Sequence, residues 1–192
     1  MSQAGLAAVG KPAGADGRLL RRPASVTPFV LVVVALAFAT LPLDRAVVAA
    51  FAGSTLVVLS AIDIERGIIP NRIVLPAAAI VLVAQLALFP GQASEWALAA
   101  VLAALALMIP QLVGRSWMGM GDVKLALLLG ATLGWGVLGA IPIAFLCTFP
   151  VAVLVLVRGG LAARKATIPF GPFLALGALI VLFGPHLSDL AS

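Results

Sequence analysis

The sequence predicts an all-α polytopic membrane protein of about seven transmembrane helices, six being the alternative count, and three observations carry that prediction. Hydrophobic residues fill 63% of the 192 positions and charged residues only 10%, where an average soluble domain carries roughly 25% charged. Mean hydropathy is +1.22. The apolar residues gather in seven runs, most of them close to the roughly 20 residues with which a helix crosses a hydrocarbon core. Strands are excluded because an open sheet edge in lipid leaves backbone groups unsatisfied. No separate soluble domain fits. The net charge of +5 is assigned to orienting the helices and not to nucleic acid.

Residues 1–27 differ from the rest: Gly, Ala, Pro and Ser surround Lys11, Arg18, Arg21 and Arg22 without an apolar period. They read as a disordered basic cytosolic tail, and residues 28–192 as one membrane domain. The runs are 28–43, 46–62, 73–89, 96–113, 121–138, 140–157 and 169–187. The first carries the small-x-small triplet Ala37-Phe38-Ala39 of a signal-peptide cleavage site. A long basic region before it and a run that nearly spans a bilayer favour a retained helix. Pro76, Pro110, Pro142, Pro150 and Gly177 interrupt later runs, which membrane helices tolerate where neighbours repair the freed backbone groups.

Basic residues orient the helices. With the N-terminus inside, the four tail residues, Arg66, Arg72, Arg115, Lys124, Arg158, Arg164 and Lys165 fall on the cytosolic side, and only Arg45 outside. This asymmetry follows the positive-inside rule and requires an odd number of spans.

Acidic residues are scarce enough to weigh singly. Asp16, Asp44, Glu95 and Asp189 read as solvated loop charges, His186 as an interfacial residue and Cys147 as a small apolar core residue. One Cys and one His build neither a disulfide nor a zinc site. Asp63, Glu65 and Asp122 remain, all on the cytosolic side. Asp63 closes the second run, and Asp122 follows Gly119-Met120-Gly121 at the mouth of the fifth. Ionisable residues at membrane depth are costly and point to function. By position alone, a first-turn acid at Asp122 and a cap at Asp63 are equal alternatives. Local chemistry adds weight: Gly119 and Gly121 leave the backbone open to close approach, and Gly67 with Ile69-Pro70-Asn71 turns the chain into a compact hairpin. Two carboxylates meeting water at one membrane face have the parts of an aspartic protease, an acid, a base and an activated water.

Three segments resemble the type IV prepilin peptidase family, membrane aspartic endopeptidases of the GxGD kind. Ile62-Asp63-Ile64-Glu65-Arg66-Gly67-Ile68-Ile69-Pro70-Asn71 is similar to its Asp-bearing helix end and turn. Met118-Gly119-Met120-Gly121-Asp122-Val123-Lys124-Leu125 is similar to its Gly-x-Gly-Asp-x-Lys-Leu. Residues Ile168 to Gly177 are similar to its Pro-Phe-Gly-Pro-Phe helix start. The resemblance implies a catalytic pair, Asp63 and Asp122, with no metal or cofactor. It implies cleavage of the basic leader of prepilins or pseudopilins at the cytosolic face of the cell (inner or plasma) membrane, for pilus or secretion-system assembly. The partners are then leader peptides and the lipid bilayer; the oligomeric state stays open. Lacking a CxxC and having a short N-terminal tail, the chain resembles a short, peptidase-only form. Presenilin-like relatives pair GxGD with Tyr-Asp, but this chain has no Tyr and places Ile62 before Asp63.

Smaller roles follow. Gly119, Gly121, Pro70 and Asn71 shape the site, Lys124 anchors its helix at the interface, and Pro169 with Gly171 sets a rigid, closely packed helix entry. Glu65 reads as an exposed charge beside Arg66, with leader recognition as the alternative. The pair is expected to share one proton, Asp122 acting as base because a helix N-terminus favours its charged form and Asp63 as acid. Other function classes are a proton-coupled transporter using the two acids as a relay, and a non-catalytic assembly subunit. The orientation has a direct check: a reporter fused after Ser192 should register the extracytoplasmic side and one inserted at Gly160 the cytosol, and two cytosolic signals would remove the odd span count.

Overall fold

Proline and glycine punctuate the helices. The computed structural model describes residues 25–113, 119–159 and 168–190. The expected tail falls almost wholly outside them, as do Arg115, Met118, Arg164 and Lys165. Helix α1 (Thr27–Thr40) carries Pro28 in its first turn, where a missing N–H costs nothing. It stops because Pro42 holds Leu41 extended, at φ −116° and ψ 150°, the conformation a residue before proline prefers. Helix α2 (Leu43–Arg66) ends at Gly67, whose φ is 63° and whose N–H bonds the Asp63 carbonyl at 2.7 Å. Only glycine takes that left-handed turn without a steric penalty. Helix α3 (Asn71–Leu88) starts behind Pro70, and a 3-10 turn (Pro90–Gln92) leads into α4 (Ala93–Val113).

Helix α5 (Met120–Leu133), a 3-10 turn (Gly134–Gly136), α6 (Val137–Gly159) and α7 (Gly171–Leu190) complete the order, with no strand among the described residues. Each expected run thus corresponds to one helix. The fifth ends sooner than the expected residue 138: Gly134 adopts φ 55° and ψ −133°, conformations an apolar run does not announce. Four stretches are long and apolar enough to cross a membrane: Leu43–Arg66, Asn71–Leu88, Pro90–Leu112 and Met120–Arg158, the last holding both α5 and α6. The apolar stretches Thr27–Thr40 and Gly171–Gly184 are shorter. The chain is a multi-pass, all-α membrane protein.

Helix α5 is the centre, packed against α2, α3, α4 and α7, with Leu125, Leu128 and Leu129 fully buried. Lipid is as apolar as leucine, so helices in a bilayer associate through close packing of small residues. Ala99, Ala100 and Ala103 of α4 are accordingly buried against α5, where Gly130 touches the Ala99 carbonyl and the Ala100 backbone. Gly177 of α7 meets the backbone at Ala140 and Ala144 of α6 in the same way. The outward side of α6 exposes Leu146, Phe149 and Val157, the apolar surface a lipid-facing helix presents.

The α4–α5 contact predicts a graded response. A methyl at Gly130 would enter backbone that cannot yield, so Gly130→Ala should destabilise by about 1–3 kcal/mol, read as a lower thermal midpoint in detergent. Gly91→Ala, whose added carbon meets nothing within 4 Å, should leave the midpoint unchanged.

Candidate active site

Asp63 occupies the last turn of α2 and Asp122 the first turn of α5, and they are 6% and 8% exposed. Carboxylates so packed require donors. Asp63 finds one on α7: the Gly171 N–H donates to its Oδ2 at 3.0 Å. That amide is available because α7 starts there. The Phe170 carbonyl accepts from the N–H groups of Phe173 and Leu174, each at 3.1 Å, and the first amides of a helix have no partner within it. Asp122 reaches back to the Gly119 N–H at 3.3 Å through Oδ2, while its own N–H donates to the Gly119 carbonyl at 3.1 Å. Each carboxylate therefore lies at a helix N-terminus, α7 for Asp63 and α5 for Asp122, where the backbone dipoles favour negative charge.

Glycines allow this convergence. A Cβ on Gly171 would stand 2.7 Å from Asp63 Oδ2 and 3.3 Å from Ile69 Cδ1, and one on Gly121 2.9 Å from Ile69 Cβ. Ile69, buried in the hairpin between α2 and α3, is the wedge against which both glycines pack. Sequence reasoning quoted Ile69 within its motif without giving it a role; the signal was an apolar residue held between Gly67 and Pro70.

The other expected site residues fall as follows. The Pro70 carbonyl accepts the N–H groups of Ile73 and Val74 at 3.0 and 3.1 Å, starting α3. Lys124, expected as an interfacial anchor or a binder of anionic groups, donates through Nζ to Asn71 Oδ1 at 2.7 Å. It ties the start of α3 to the first turn of α5. Pro169 precedes Phe170, whose ring packs on Phe145 of α6 with centroids 4.9 Å apart, fixing where α7 enters. Glu65 is half-buried, not fully exposed. Asp44 bonds the Arg45 N–H at 2.9 Å at the start of α2, and Glu95 lies in the first turn of α4; both stand at the ends of their helices away from Asp63. The side chains of Asp16, His186 and Asp189 fall outside the description. Among the described residues no three His, Cys, Asp or Glu side chains gather that could hold a metal ion.

Comparison with known proteins gives a concordant result. The model of the type IV leader peptidase family matches residues 50–181, which include both carboxylates and Gly171. The chain is 33% identical over 138 residues to the prepilin leader peptidase/N-methyltransferase of Xanthomonas campestris pv. campestris, covering 67% of this chain and 46% of the relative. It is 34% identical over 137 residues to the protein of that name from Stutzerimonas stutzeri, covering 66% and 46%. A third, from Burkholderia pseudomallei, is 33% identical over 139 residues, covering 68% and 44%. The chain thus spans somewhat under half the length of these curated relatives. No solved structure matches significantly.

The contact between α7 and Asp63 is testable by stability alone. Gly171→Ala should cost about 1–3 kcal/mol with Asp63 present and much less in an Asp63→Ala background. Thermal denaturation of the four proteins should give a coupling of at least about 1 kcal/mol; additive effects would mean that the two groups do not meet.

Proposed function

The chain belongs to the type IV leader peptidase family, and from that premise we propose that it is a membrane aspartic endopeptidase with Asp63 and Asp122 as its catalytic pair. One observation carries the reading. Two carboxylates from helices far apart in sequence are brought to one end of the bundle, each held through Oδ2 by a backbone N–H. We assign each Oδ1 to water or a peptide carbonyl. In such a pair one carboxylate takes a proton from the attacking water while the other, protonated, polarises the scissile carbonyl and later protonates the leaving amine.

The sequence-level reason for making Asp122 the base was its helix N-terminus. Asp63 has an equivalent partner in α7, so that reason no longer separates them. We treat the pair as a unit sharing one proton.

The substrate we assign is a prepilin or pseudopilin, cut between a short basic leader and the apolar helix that follows. The positive-inside asymmetry supports a cytosolic site in the cell membrane, in the service of pilus or secretion-system assembly. The relatives' names also include N-methyltransferase. We assign this chain the peptidase activity, the one for which its two carboxylates supply the groups. Glu65, which is half-buried, is not needed for the chemistry proposed.

Incubation of the purified protein with a prepilin-like peptide tests the reading by mass spectrometry. Asp63→Asn and Asp122→Asn should each abolish cleavage while the protein stays folded in the membrane. The double variant should be no worse than either single one, because groups that act as a unit are lost together. Asp44→Asn should keep its activity. Near-wild-type cleavage by either single variant at the pair would sink the assignment, and cleavage unaffected in both would return the reading to a transporter or an assembly subunit.

The proposed chemistry needs no metal. Prolonged chelation should leave cleavage intact; activity lost on chelation and regained only with a divalent ion would refute this part of the reading.

A further inference from the structure

A second polar feature lies at the other end of the bundle. Arg45 stands in the first turn of α2, roughly 27 Å from Asp63 at 1.5 Å per residue. Beside it opens a cavity of about 440 Å³, between the start of α2, the α3–α4 connection, the end of α5 and α7. That volume suits a small polar group, within the roughly 300–1,000 Å³ of ligand sites.

We infer that this cavity holds the headgroup of an anionic phospholipid, a phosphodiester with its acyl esters. Arg45 is the one charged side chain among its lining residues. The guanidinium stacks over the Phe89 ring, 5.3 Å from the centroid, a cation–π contact that holds it at the rim. An arginine fork suits phosphate oxygens, which accept its N–H groups in pairs. Trp96 also lines the cavity, as an aromatic wall beside the arginine.

The deeper polar groups are already engaged. Gln85 donates to the Thr132 carbonyl at 3.3 Å, and the Thr132 hydroxyl to the Leu128 carbonyl at 2.8 Å. What the cavity offers a ligand is therefore mainly the donors of Arg45, with Gln92 exposed beside it. Its remaining walls include Leu133, Val181 and Leu182, which match acyl chains. Negative charge nearby narrows the choice. Asp44 and Glu95 flank Arg45 and Trp96 in sequence without lining the cavity, and they disfavour a phosphate dianion more than a singly charged diester.

The test uses the purified, delipidated full chain in detergent, titrated with phosphatidylglycerol or with inorganic phosphate while thermal unfolding is followed. Phosphatidylglycerol should raise the midpoint saturably, and phosphate should not. Arg45→Gln should require about tenfold more lipid for the same rise, a loss of about 1.4 kcal/mol. Asp63→Asn should respond as the wild type does, which separates this result from the fate of the peptidase reading. If Arg45→Gln does not fold, Arg45→Lys, which keeps the charge but loses the guanidinium fork, carries the test alone and should also need more lipid. A lipid response unchanged in the folded variants would overturn the inference, as would a shift reproduced by phosphate alone.

Discussion

A carboxylate packed into the end of a membrane helix must be met by a donor, and the bond from the Gly171 N–H to Asp63 is the interaction around which this end of the bundle is arranged. It forms only if α7 begins at that point. Pro169 leads into the entry and Phe170 holds it by stacking on Phe145. It also forms only if the donor residue lacks a Cβ, because any side chain there would displace the carboxylate it serves. Gly67 must end α2 directly after Asp63, so that the chain turns and delivers Ile69 as the surface on which Gly121 and Gly171 close. Removing any one of these makes the others purposeless.

The same economy of side-chain volume governs the rest of the bundle. Lipid gives helices no hydrophobic reason to prefer one another, so their arrangement rests on how closely backbones approach. Gly130 at Ala99 and Ala100, and Gly177 at Ala140 and Ala144, are the points of closest approach on α5 and α7, the helices whose N-termini face the two carboxylates. Packing deep in the bundle therefore fixes the height and tilt of the amides that serve the site.

The helices were readable from sequence because membrane helices carry their evidence locally, in hydrophobic length and in proline and glycine at the ends. Asp63 and Asp122 stood out in the sequence as a candidate pair because acids are so rare here that each needs a reason. What was hidden depends on contacts between distant segments. The Lys124–Asn71 bond joins two helices, and no spacing along the chain announces it. The early end of α5 depends on the positive φ of Gly134, where the ring of Trp96 lies close, and composition there still looks helical. The equivalence of the two carboxylates was hidden for a related cause: the α7 amide reaches Asp63 across most of the chain.

That equivalence bears on the charge state of the proposed pair. A helix N-terminus contributes roughly half a positive charge. Two of them, α5 and α7, together offset about one negative charge. Among the described residues no Lys or Arg side chain is bonded to either carboxylate, and Lys124, the nearest in sequence to Asp122, is committed to Asn71. Backbone dipoles thus balance one ionised carboxylate and not two, and like charges in one site repel. On the proposed reading the pair is singly charged and retains one proton, so that a base and an acid are present together before any substrate arrives. A basic leader would then be drawn to that single charge, and the apolar helix behind it would remain in the lipid beside a bundle whose outer surface is itself apolar.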